Sequence, residues 1–178
     1  RERHLFASAI TPEGFKNYLE SVVGTDNAYV LRTVPGLSTE SILVKAKDGE
    51  VEKGYNVECY HCAMFPERLE HIVIPQLNTS FTTSNKYHSA RIKPSECIDF
   101  NNFLDESILE EYREVLEYNN NEYDALLNRA IETIRLAKAA HDGIEEYYVN
   151  NMDFEAVQRC RESVMRRILE LACRLYRQ

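Results

Sequence analysis

An apolar, strand-like run, Ala28-Tyr-Val-Leu-Arg32, passes through Thr33-Val-Pro-Gly-Leu-Ser-Thr-Glu-Ser41 into a helix-like run that closes at Gly54. No other stretch restricts the fold as strongly. A second strand is expected at Asn56–His61, and a strand–helix–strand unit of this kind favours a parallel pair joined by a right-handed crossover. Ser38 or Thr39 is expected to cap the helix, and the interior pair Asp48-Gly49 weakens its middle. Further strands are expected at His71–Pro75 and Ser80–Thr83. Near the start, Leu5–Ile10 is a short apolar run ended by Thr11-Pro12. Pro12 suits the first turn of a helix, and Phe15, Tyr18, Leu19 and Val22 recur at helical spacing, so a helix is predicted over Glu13–Val23 with Gly24 closing it.

The texture changes near Asp105. From Ile108 to Ile144 apolar residues recur every three or four positions, the pattern of one long amphipathic helix. A polar break at Val149-Asn-Asn-Met-Asp153 follows, with Asn151 or Asp153 as the next cap. A second stripe then runs through Phe154, Val157, Val164, Met165, Ile168, Leu171 and Leu175. Two long helices joined by a short turn predict an antiparallel helical hairpin over 105–178, appended to an α/β body over 1–104.

Length and charge narrow the function classes. The 178 residues suit one domain, or one domain with an appendage. A net charge of −8 opposes general binding to nucleic acid or to an anionic membrane surface. No apolar run approaches the roughly 20 residues that a bilayer-spanning helix needs. The opening Arg1-Glu-Arg-His-Leu-Phe has neither an initiator Met nor a signal-peptide core, so the chain reads as an excerpt of a longer protein or as a processed form. Five scattered cysteines, Cys59, Cys62, Cys97, Cys160 and Cys173, suggest reduced thiols in a cytoplasmic protein rather than a disulfide framework.

The loop at 33–41 sits where a phosphate-binding loop sits. The consensus G-x-x-x-x-G-K-[ST] places glycines at positions 33 and 38, a lysine at 39 and a hydroxyl residue at 40. This chain has Thr33, Ser38, Thr39 and Glu40 instead. A working loop needs glycines so that successive backbone N–H groups curl round the phosphates, a lysine for the β/γ oxygens and a hydroxyl for Mg²⁺. Thr39 supplies no positive charge. Glu40 favours the helix dipole but takes the electrostatic place of a phosphate. Lys45 lies too far along the helix to replace the missing cation.

Several ordered motifs point to a family. His4-Leu-Phe-Ala-Ser-Ala-Ile-Thr-Pro12, Gly54-Tyr-Asn-Val-Glu-Cys-Tyr-His-Cys62, Glu70-His-Ile-Val-Ile-Pro75, Phe81-Thr-Thr-Ser-Asn-Lys-Tyr-His88 and Asn151-Met-Asp-Phe-Glu-Ala156 follow one another along nearly the whole chain. In this order they resemble the second, C-terminal half of a tandem P-loop ATPase-like family of spore-forming Gram-positive bacteria. The family loop reads roughly Gly-Glu-Pro-Gly-Thr-Gly-Lys-Ser-Thr; here Pro35, Gly36 and the hydroxyl of Ser41 match it. Where the family often carries Glu after the third strand, this chain has Gln76. The resemblance implies a three-layer P-loop NTPase-like fold with a small, mostly parallel sheet, and ATP with Mg²⁺ as the ancestral ligands. The nucleotide-site positions it implies are Thr33, Pro35, Gly36, Ser38, Thr39 and Ser41. His61, at the carboxyl end of its strand, is added on the rule that ligands of open α/β sheets bind there. Catalytic residues are not assigned, because the groups that hydrolysis needs are missing.

Other constellations carry weaker signals. Cys59-x-x-Cys62, with His61, His71 and Cys97 nearby in sequence, has half the spacing of a zinc site and lacks the second half. Two small thiols at a strand end are the simpler reading, and strand alternation points them to opposite faces unless the chain turns. Thr82-Thr-Ser-Asn-Lys-Tyr-His88 reads as a strand end and loop, with a ligand-sensing segment as the alternative. The glutamates of 106–122 form a solvated helix face.

Three functions remain. One is a degenerate, non-hydrolysing P-loop domain that partners an active ATP-binding domain, either in the same polypeptide or within a homo-oligomer. Another is a diverged ATPase, and the third an interaction module working through its helices.

Overall fold

A computed structural model describes residues 1–176. Its centre is a six-stranded sheet with the order β1-β5-β6-β7-β4-β8, where β1 is Glu2–Phe6, β4 Asn27–Arg32, β5 Val57–His61, β6 Leu69–Ile74, β7 Thr79–Ser84 and β8 Glu96–Asp99. Only β6 runs against the others, so the sheet is mostly parallel. Each element forms where its residues favour it. β6 is an unbroken run, Leu-Glu-His-Ile-Val-Ile, and all six residues are buried, as expected of a strand covered on both faces.

Helix α2 (Glu40–Glu52) follows β4 and ends with Lys53 and Gly54, the latter at φ +90°, a left-handed position that glycine takes without steric cost. Its buried Leu43 packs on Leu31, Val57, Cys59, Leu69, Ile72 and Ile74. On the opposite face Val73 and Tyr60 pack with Ala7 and with Leu19 and Val23 of the short helix α1 (Leu19–Val23). The alternation of Ile72, Val73 and Ile74 along β6 thus divides the core into two layers.

The parallel relation of β4 and β5 agrees with the sequence, but β6 and β7 lie between them. Strand β3 (Gly14–Asn17), paired with β2 (Ser8–Thr11), replaces the first half of the helix predicted over Glu13–Val23, whose second half forms α1. Thr11-Pro12-Glu13-Gly14 is a tight turn: the Thr11 hydroxyl donates to the Gly14 carbonyl at 2.7 Å, and Gly14 adopts φ +110°. Turn chemistry overrides the helical spacing there. Strand β8 was not legible either, being short and mostly exposed.

Beyond the sheet, α3 (Glu106–Glu111) is capped by Asp105, α4 spans Arg113–Val149, and α5 spans Phe154–Leu175 with Asp153 Oδ1 accepting from Ala156 N at 2.9 Å. The chain divides into two compact units, 1–135 and the residues from 136 onward, with the boundary inside α4. In these two long helices Phe154, Val157, Val164, Met165, Ile168 and Leu171 are all exposed, and no residue of α4 or α5 is buried. Periodicity identifies an amphipathic helix but not what covers its stripe. Residues 177 and 178, the end of the expected hairpin, lie outside the described residues. No helix among the described residues is long and apolar enough to cross a membrane.

Candidate functional site

Because β6 is antiparallel, its first residues lie at the edge where β4, β5 and β7 end. Four segments converge there: the loop after β4, Cys62–Arg68 after β5, Leu69-Glu70 opening β6, and Asn85–His88 after β7. Together with Leu116, Asn119, Asn120 and Tyr123 of α4 they enclose a cavity of about 350 Å³. This is the edge where open α/β sheets place ligands.

The loop after β4 is closed by its own hydrogen bonds. Leu37 N–H donates to the Val34 carbonyl at 3.2 Å, with Pro35 and Gly36 (φ +96°) between them. This is the Pro-Gly arrangement of a type II turn, in which glycine supplies the positive φ. The Thr33 hydroxyl donates to the carbonyls of Val34 (2.7 Å) and Leu37 (3.0 Å), and Glu40 N–H donates to Ser38 Oγ at 3.3 Å. Thr39, where a phosphate-binding loop carries lysine, is 2% exposed, and its hydroxyl meets that of Thr83 at 2.6 Å. The Glu40 carboxylate accepts from Leu69 N–H at 3.1 Å and so fastens the start of α2 to β6.

The residues predicted for a nucleotide are therefore only partly assembled. Pro35 and Gly36 line the cavity. Thr33 and Thr39 are buried in internal hydrogen bonds, and Ser38 and Ser41 are exposed at the start of α2. His61 stands apart: its Nε2 lies 2.8 Å from His4 Nδ1 on β1, and β5 is separated from β4 by two strands. At about 4.8 Å per strand step that is roughly 14 Å from the loop strand.

Cys59 and Cys62 do part company. Cys59 enters the cluster beneath α2, and burial pushes its thiol up to about 11. Between Tyr60 and His61 the register with β6 shifts, and the chain then turns so that Cys62 faces His88, with Sγ 3.4 Å from Nε2. Burial raises the Cys62 thiol as well, while backbone N–H groups of Met64 and Phe65 directed at its sulfur oppose that rise. Glu70, also buried, is held above the usual carboxylate range by desolvation, against the pull of Arg68 and of a hydrogen bond from Thr83.

His88 is fixed by its loop. Asn85 Oδ1 accepts from the N–H groups of Tyr87 (2.9 Å) and His88 (3.0 Å), and Asn85 N–H donates to the His88 carbonyl at 2.7 Å. The ring packs edge-on against His71 and Phe15. Desolvation, reinforced by Arg68, lowers His88 to about 4, so the ring is neutral at pH 7. His71 is held far below its ordinary value by burial and by His88, and its Nδ1 lies 2.7 Å from the Thr82 hydroxyl. The polar run 82–88 thus contributes Asn85, Tyr87 and His88 to the cavity wall.

One side of the cavity is fastened to α4. The Tyr87 hydroxyl donates to Asp124 at 2.7 Å, Lys86 pairs with the same carboxylate, and the Tyr123 hydroxyl donates to Met64 Sδ at 2.8 Å. The gathering of Cys62, Glu70 and His88 was missed in the sequence because these residues share no motif spacing. Their only signal was that each lies at the end of a predicted strand or in the polar loop that follows one. Comparison with protein-family profiles, curated proteins and solved structures finds no match to this chain.

Proposed function

We propose that the chain is a degenerate P-loop NTPase-like domain that does not hydrolyse nucleotide and serves as a structural or regulatory partner of an active ATP-binding domain. The observation that carries the reading is Thr39. The position of the phosphate-binding lysine holds a neutral hydroxyl, buried and committed to Thr83. The strand–loop–helix frame supports the ancestry, since β4 leads through a turn at Pro35-Gly36 into α2. The closed hydrogen bonding of Thr33, Leu37 and Glu40 supports the loss of phosphate binding, because these groups already have partners.

The test compares ATP–Mg²⁺ binding by the natural chain and by the combined variant Ser38→Gly, Thr39→Lys, Glu40→Ser in equilibrium dialysis. The reading predicts no saturable binding at millimolar nucleotide for the natural chain and measurable binding for the variant. Saturable binding by the natural chain refutes it.

The exposed stripe of α5 favours a second element of this reading, namely that the partnership runs through the C-terminal helices. Ile168→Glu with Leu171→Glu then abolishes association in sedimentation experiments with the partner domain, and unchanged association assigns the contact elsewhere.

A further inference from the structure

Cys62, Glu70 and His88 form a donor set that the degenerate-loop reading does not use. All three are at most 5% exposed, and one ligand atom from each lies within 4.8 Å of the others. The sulfur-to-nitrogen separation of 3.4 Å is the edge length of a tetrahedron with metal–ligand bonds of about 2.0–2.3 Å, roughly 3.3–3.8 Å. We infer that these three side chains bind one zinc-type divalent cation, with a remaining coordination position open to the cavity that all three line.

The chemistry of the set fits that ion. One thiolate and one carboxylate balance a double positive charge, and a neutral imidazole adds a nitrogen donor of intermediate softness. Binding at neutral pH displaces the Cys62 thiol proton to solvent as the sulfur–metal bond forms. The two backbone N–H groups aimed at the sulfur suit a thiolate better than a thiol. The surroundings hold the donors in place. The Thr83 hydroxyl engages Glu70, and Asn85 fixes the backbone of His88. His88 Nε2 faces the site at Cys62 Sγ, and Nδ1 is buried and without a hydrogen-bond partner among the described residues.

Three protein ligands with an open fourth position is the arrangement of sites that bind water or a small ligand, whereas structural zinc sites are closed by four. A competing group, Glu2, His4 and Cys59, is less suited. His4 already meets His61 through Nδ1 and Glu2 through Nε2, and two of its three members are exposed. The inference is independent of whether the loop at 33–40 takes a nucleotide.

Cobalt(II) titration of the full chain tests it, in a background carrying Cys97→Ser, Cys160→Ser and Cys173→Ser to remove the exposed thiols. The expected result is saturation at one equivalent with a near-ultraviolet thiolate-to-cobalt charge-transfer band, displaced by Zn²⁺. The band survives Cys59→Ala and disappears in Cys62→Ser. Glu70→Gln, which keeps the size and shape of the side chain and exchanges a carboxylate oxygen for an amide nitrogen, weakens binding at least about tenfold. Absence of one-equivalent binding in the background chain, persistence of the band in Cys62→Ser, or full affinity in Glu70→Gln overturns the inference.

Discussion

Two stretches share one end of the sheet and one cavity, and they invert what their sequences suggest. The loop from Thr33 to Glu40 has the position of a ligand site, yet its polar groups are spent on one another and on β6 and β7. The corner formed by Cys62, Glu70 and His88 has no motif, yet it gathers three buried donors around a cavity. Polarity alone therefore does not mark a site. What distinguishes the two is that the loop's polar atoms are turned onto one another and onto the sheet, whereas the corner's three donors converge on one point of the cavity wall.

The comparison can be broken most forcefully behind the loop. Leu43 is fully buried and holds α2 against the sheet, so Leu43→Ala should cost about 3–5 kcal/mol in chemical denaturation. A loss below about 1 kcal/mol would show that α2, and the loop it anchors, are not set by this packing.

The two neighbouring cysteines give the next largest effect. Cys59 ionises near 9 when unfolded and only near 11 in the fold, so the unfolded chain loses its proton first as pH rises. The stability this supplies is complete below pH 9 and is lost between about 9 and 11, amounting to about 2–3 kcal/mol. Cys59→Val should flatten that alkaline slope when stability is measured against pH. An unchanged slope would mean that Cys59 is not the buried, inert thiol of the pair.

Smaller effects separate the structural hydroxyl from the buried acid. Thr39→Val removes one of the two hydrogen bonds of the Thr83 hydroxyl, which keeps its bond to Glu70, and should cost about 1 kcal/mol of stability. Glu70→Gln should act oppositely. Without metal at pH 7 its melting temperature should equal or exceed that of the natural chain, because burial disfavours the charge it removes. If Glu70→Gln destabilises strongly and Thr39→Val does not, the roles assigned to loop and corner are reversed.

Much of the fold was legible where local signals agreed with packing. The runs that became β4, α2, β5, β6 and β7 combined apolar content with helix-ending or turn residues at their borders, and each appears close to its expected place. The β2–β3 hairpin was masked because Phe15, Tyr18 and Val22 imitate helical spacing, while the Gly14 turn depends on a backbone angle that sequence spacing does not display. Strand order was not legible either, since pairing β4 with β7 and β8 is decided by tertiary contacts. In the site, Pro35 and Gly36 were found through their loop. His88 could be grouped with Cys62 and Glu70 only after β5, β6 and β7 were placed side by side. The exposed stripe of α5 marks the same boundary: the pattern was plain, and periodicity does not say what packs on it.

The most direct measurement of the contrast is one thermal melt of the natural chain in three parallel cells: without ligand, with Zn²⁺ and with millimolar ATP–Mg²⁺. A ligand that binds only the native state must raise the melting temperature. The account predicts a clear rise with Zn²⁺ and none with ATP–Mg²⁺. A rise of several degrees with ATP–Mg²⁺ and none with Zn²⁺ would contradict it, making the loop a nucleotide site and leaving the corner as packed core.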